Sequence, residues 1–193
     1  MTSRVLLVSP AVNASLRQAR FDDDGSLDAG GTARARAAAG SLPSAARALA
    51  SPSARCRETA EALGLDGVPV PELAGLAVGR WRGRTLEEVG AAEPAAVGRW
   101  LTDPGCAPHG GESLEDLCGR VARWLDGAGA VAGRTLAVVE PDVVRAAVVA
   151  ALGLPAGVFW RLDVAPLSVT ELSGRGGRWN LRVGRPPAGP EAD

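Results

Sequence analysis

The chain carries one imidazole, His109, set in a Pro108-His109-Gly110-Gly111 loop. Two carboxylates bracket a proline in Glu140-Pro141-Asp142, directly after the apolar run Leu136 to Val139. An arginine and a cysteine, Arg55-Cys56, stand where a helix is expected to begin. Carboxylates placed like Glu140 and Asp142 have three chemical uses: pairing with Arg55, holding a cation, or forming an acid/base couple with separated pKa values. Asp142 also has an ordinary structural role open to it, because strand-Pro-Asp-helix is a common helix start and makes the aspartate the expected N-cap. A thiol at the start of a helix, such as Cys56, can titrate low. Inside a helix packed on a sheet it serves more commonly as a small buried hydrophobe. His109, between proline and glycines, is expected to face solvent.

These groups must be positioned by short elements. Arg4 to Val8 reads as a buried parallel strand ended by Pro10. The loop Arg20-Phe21-Asp22-Asp23-Asp24-Gly25 lacks the ligand spacing and closing glutamate of a calcium-binding hand, so it is read as a solvated turn. Thr32 to Ala39 reads as a helix and Ala45 to Ala50 as a second strand. Ser53 is the expected N-cap of the helix carrying Arg55, Thr59 and Leu63, and Gly64 ends it. After a strand near Val68 to Leu73, a helical stretch from Thr85 to Leu101 is broken at Glu93-Pro94, giving an insertion of two pieces. Ser113 and Asp116 have capping-box spacing, and Leu114, Leu117, Val121, Trp124 and Leu125 share one helical face. A helix from Val143 to Leu152 stops at Gly153. Leu167 to Leu172 and Trp179 to Val183 form a hairpin around a glycine turn; because that turn joins two strands, it is no phosphate loop. The tail from Pro186 to Asp193 is expected to be disordered, leaving residues 1–185 as a single domain.

Composition limits the partners. The net charge is −1, with 21 basic and 22 acidic residues, so neither a nucleic acid nor a membrane is an expected partner. Every basic side chain is an arginine, the type suited to bidentate contacts with carboxylate or phosphate. Three scattered cysteines fit neither a disulfide framework nor a pair of metal knuckles, and no secretory leader or membrane span is legible. A cytoplasmic protein with no cofactor and no metal is expected. A homo-oligomer is compatible with the sequence but not specified by it.

Three motifs occur in order: Ser51-Pro52-Ser53-Ala54-Arg55-Cys56-Arg57-Glu58-Thr59-Ala60-Glu61, the turn Gly79-Arg80-Trp81-Arg82-Gly83, and Trp100 followed by Pro104 and Pro108-His109-Gly110-Gly111-Glu112-Ser113. With the strand and helix order around them, over residues 4 to 184, the chain resembles the histidine phosphatase superfamily. The resemblance implies an α/β fold of phosphoglycerate-mutase type: a three-layer α/β/α sandwich with a mostly parallel sheet and a helical insertion over the pocket. It also implies an Arg-His-Gly after the first strand, where Ser9, Pro10 and Ala11 stand instead. The acid that protonates the leaving oxygen is matched by Gly75, and the second histidine by Pro141. Proline offers no nucleophilic atom, so phosphoryl capture is excluded at both proline positions. Of the family's central set Arg55 remains, with Arg20 as an outer contact.

The expected function is therefore a catalytically degenerate relative, a binding or regulatory module for a small molecule or a protein. An enzyme of other chemistry using Glu140, Asp142, Cys56 or Arg55 is the alternative, and a weak phosphatase stands last. The helix starts after Ser53 and Pro141 are expected to keep free amides toward an anion, with Glu140 and Asp142 opposing it. Trp81 and Trp100 are expected as aromatic pocket walls for a larger, less charged ligand, with His109 and Ser113 at its mouth.

Overall fold

A run of alternating side chains that is apolar on both sides must be covered on both faces, and the first strand obeys this. In the computed structural model, which describes residues 2–21 and 23–183, β1 (Ser3–Val8) lies inside a six-stranded sheet. The strands β2 (Arg47–Ala50), β3 (Val68–Pro69), β4 (Gly133–Val138), β5 (Val169–Arg175) and β6 (Arg178–Arg182) complete the order β3-β2-β4-β1-β5-β6. β1 to β4 are mutually parallel, and β5 and β6 close one side as an antiparallel hairpin. Val5 and Leu7 join Ala137 and Val139 in one apolar layer, while Leu6 and Val8 join Leu136 and Val138 in the other. Truncating a side chain such as Leu7, fully buried, costs about 2–5 kcal/mol.

Seven α-helices, among the described residues, surround the sheet: α1 (Ala14–Arg17), α2 (Ala29–Ala37), α3 (Ala54–Ala62), α4 (Leu86–Ala92), α5 (Pro94–Thr102), α6 (Leu114–Gly129) and α7 (Pro141–Leu152). α3 packs through Cys56, Ala60 and Leu63 on the Leu6 and Val8 face. α6 and α7 pack together and belong to the layer built on Val5 and Leu7. This is the expected α/β architecture. The capping signals hold: the Ser53 hydroxyl accepts from the Cys56 amide, Ser113 and Asp116 form a reciprocal box, and Gly153 ends α7 at φ 61°.

Some elements differ from the sequence reading. The strand expected over 68–73 pairs only at Val68 and Pro69, because Pro69 and Pro71 lack the amide a longer ladder needs and Pro71–Leu73 folds into a 3-10 turn. Asp142 does not cap α7: Glu140 holds the N-cap position, without a side-chain cap bond, and Pro141 takes the first helical position. The insertion is broken at Glu93 as expected, and it is joined to the loop after β1 by a bridge between Arg20 and Thr85. The tail expected to be disordered lies outside the described residues.

Candidate functional site

The carboxyl ends of neighbouring parallel strands open toward one crevice, where open α/β sheets bind ligands. Here Pro10 follows β1, Ser53 and Arg55 follow β2, and Glu140 follows β4. Glu140 is the hub. Its residue is 8% exposed, the Ser53 hydroxyl donates to Oε1 at 2.8 Å, and Arg55 donates to both oxygens through Nε and Nη2. Burial alone would lower the Arg55 guanidinium, and the Glu140 carboxylate more than offsets it, so Arg55 is held above its ordinary range. Cys56 Sγ lies 3.5 Å from the same Oε1, and burial followed by the Glu140 charge pushes its thiol well up. Cys56 is thus the inert, fully buried side chain of the ordinary reading and not an activated nucleophile.

Asp142 makes a second connection. Its Oδ2 accepts from the Leu76 amide at 2.6 Å and its Oδ1 from the Val143 amide at 2.7 Å. Burial and the neighbouring Glu140 push its carboxyl up to about 6, against those two amide bonds. The segment it holds is clamped from the other side by Arg120, which donates to the carbonyls of Glu72, Ala74 and Gly75 and pairs with Glu112. Gly75 leaves room for both carboxylates: a β-carbon there would meet Glu140 Cγ and Asp142 Oδ2 at 3.2 and 3.4 Å.

At the mouth, Asp24 Oδ1 accepts from the Ala54 amide at 2.7 Å, the first amide of α3. Ser15 donates to Asp23, and Arg20 donates to the Gly83 carbonyl and to Gln18. Arg20, Arg55, Ser53, Asp23 and Asp24 together line a hollow of about 70 Å³. Two of the amides expected to be free at the start of α3 are therefore occupied, Ala54 by Asp24 and Cys56 by Ser53. Nothing in the sequence near Asp24 signals a partner 30 residues away, which is why residue spacing missed it.

Other expected site residues lie elsewhere. His109 is 1% exposed, not solvent-facing. Its Nδ1 accepts from the Gly111 amide at 3.0 Å, which leaves the proton of the neutral ring on Nε2. The ring packs edge-on against Trp81 and Trp100 at 5.0 and 6.3 Å. Burial, helped by Arg80, lowers its pKa. Trp81 and Trp100 are core residues in one aromatic cluster with Phe21 and Trp160, not pocket walls. Large rings joined edge to face bury more surface together than they would lining a solvent cavity. Ser113 is spent on its capping box. Ser9 is buried in the main-chain ladder, where its amide donates to the Ser168 carbonyl, and its hydroxyl has no partner among the described residues.

The profile of the histidine phosphatase superfamily (branch 1) matches residues 11–184. The bifunctional protein Rv2228c of Mycobacterium tuberculosis is 32% identical over 182 residues, covering 88% of this chain and 50% of that protein. A glucosyl-3-phosphoglycerate phosphatase of Mycolicibacterium vanbaalenii is 39% identical over 114 residues, covering 52% of this chain and 51% of that one. The chain thus spans about half the length of the curated relatives it matches. Among solved structures, the mycobacterial glucosyl-3-phosphoglycerate phosphatase Rv2419c in complex with VO3 superposes at a TM-score of 0.83, with 27% identity over 94% of this chain and 98% of that one. Sheet order, the capped Ser53 helix and the profile match agree, and the chain belongs to the histidine phosphatase superfamily, branch 1.

Proposed function

We propose that this protein is a catalytically degenerate member of its superfamily that acts as a binding or regulatory module, not as a phosphatase. The observation that carries the reading is the seating of Glu140 on Arg55 and Ser53. A carboxylate there satisfies the guanidinium that a phosphoryl oxygen would otherwise engage, and it repels an incoming dianion. Asp24 takes the Ala54 amide in the same way. Proline at positions 10 and 141 supplies no atom for phosphoryl capture.

Purified protein is expected to leave p-nitrophenyl phosphate and glucosyl-3-phosphoglycerate unhydrolysed, and to carry no acid-labile phosphoryl group after mixing with substrate. Turnover that is abolished by Arg55→Ala would end the proposal.

One observation favours a second reading, an enzyme of different chemistry. Asp142, whose carboxyl is pushed up to about 6 by burial and by the neighbouring Glu140, is suited to proton transfer near neutral pH. That reading requires some reaction to be lost in Asp142→Asn while the fold, read by circular dichroism, is retained.

A further inference from the structure

The sheet face opposite α6 is only half covered. α3 packs on β2 and β4, and Leu6, Leu136 and Val138 lie beneath it and its neighbouring segments. Toward β5 and β6 the same face is open: Arg178, Asn180 and Arg182 are exposed, while Trp179 between them is buried on the other side. Strand register says which side chains share that open face. Arg4 is the cross-strand partner of both Arg134 and Ser173, Ser173 pairs with Asn180, and Arg175 pairs with Arg178. Since side chains alternate along a strand, all six project to one side.

Four of the six are arginines, and they form two directly opposed like-charge pairs. Like charges opposite one another destabilise a sheet. Among the described residues none of the four has a carboxylate in ion-pair contact; Glu171, on the same face, is paired with Arg182 at 3.1 Å. Arg134 is held by the Ser44 carbonyl at 2.6 Å, which orients its guanidinium without neutralising it. In a chain of net charge −1, this is a local concentration of uncompensated positive charge.

The surface is hollowed. Arg4 and Arg134 line one depression of about 530 Å³, and Arg175, Arg178, Ser173 and Asn180 line another of about 300 Å³. Thr2 borders both, so they adjoin. No carboxylate and no aromatic ring lines either depression among the described residues. A nucleobase would lack its stacking platform in either depression; the apolar side chains a protein anchor would need lie in a separate hollow of about 730 Å³, which shares Arg4 and Arg134 and also holds Asp163 and Glu171. Guanidinium, hydroxyl and amide groups match anionic oxygens repeated at short intervals.

We propose that this face binds a compact oligophosphate anion, gripped by Arg4, Arg134, Arg175 and Arg178. The site lies at the amino-terminal edge of the sheet. Glu140 follows the opposite end of the six-residue strand β4, about 20 Å away at the usual rise per residue. The proposal is thus independent of what the Arg55 crevice does.

Titration calorimetry with inorganic tripolyphosphate at about 0.1 M salt, within the range where surface charges are screened beyond about 10 Å, tests it. Saturable binding is expected, weakened about 10-fold or more in the double variant Arg175→Glu/Arg178→Glu and in Arg4→Gln. Arg123→Glu, a charge change of an exposed residue on α6, is expected to leave it unchanged. No binding up to about 5 mM tripolyphosphate would overturn the proposal. Equal weakening in Arg123→Glu, retention in the hairpin variant, or tighter binding of oligothymidylate or hexaglutamate would overturn it too.

Discussion

Gly75 and Glu140 share one volume: a β-carbon on the glycine would stand 3.2 Å from Cγ of the glutamate. Glu140 cannot move aside cheaply, because its carboxylate is fixed by Ser53 and Arg55. Gly75→Glu, which would reintroduce an acid at this position, is expected to lose about 1–3 kcal/mol by overpacking. In a Glu140→Ala background the same change is expected to cost less, with a coupling of about 0.5–3 kcal/mol. Urea denaturation of the four proteins of the cycle measures it, and additive losses would show that the two positions do not compete.

The Arg55–Glu140 pair has side chains only 14% and 10% exposed. Breaking it from one side leaves a buried charge without its partner, so Glu140→Ala is expected to cost about 3–5 kcal/mol. Replacing both residues with methionine is expected to cost much less. In an Arg175→Glu/Arg178→Glu background, which removes two of the sheet-face arginines, inorganic phosphate should raise the melting temperature when Glu140→Ala vacates Arg55 and leave it unchanged when Glu140 is present. A phosphate response in that background with Glu140 present would count against a carboxylate-filled crevice.

His109 sets one slope of stability against pH. Its folded pKa lies below the ordinary 6.5, so between the two values the unfolded chain binds more protons. Stability from this group is complete above about 6.5 and declines as pH falls, levelling below the folded pKa. His109→Phe keeps an aromatic ring in the Trp81 and Trp100 cluster and removes the titration. Urea midpoints at several acidic pH values should therefore fall more steeply for wild type than for this variant; parallel curves would refute the burial argument.

Asp142 acts with the opposite sign. With a folded value of about 6 against an ordinary 3.8, the folded state binds more protons across that interval. Its contribution is full below about 3.8 and is lost as pH rises through about 6, to a limit of about 3 kcal/mol. Asp142→Asn should flatten the stability profile over this window. If the difference between wild type and variant is constant across the window, the carboxyl is not shifted.

Legibility was uneven, for reasons visible in particular residues. The caps at Ser53 and Ser113 and the break at Glu93-Pro94 are local features, set by hydrogen bonds within a turn or two or by a missing amide. The inertness of Cys56 also followed from its place on a helix against a sheet. The burial of His109 is not legible locally, because a Pro-Gly environment describes backbone freedom, whereas the burial comes from Trp81 and Trp100. The role of Asp142 is not legible either, because a cap signal is local and the Leu76 amide that captures this side chain is 66 residues away.

Residue types and short-range spacing suffice for the order of strands and helices, for the family resemblance, and for the absence of any histidine at positions 10 and 141. It takes the fold to seat Glu140 on Arg55, to bring Asp24 to the start of α3, and to place four arginines on one open sheet face. Those are contacts or registers between segments far apart in the chain. Charge and hydrogen bonding act over a few ångströms of space, and only the folded path of the backbone brings such groups within that range.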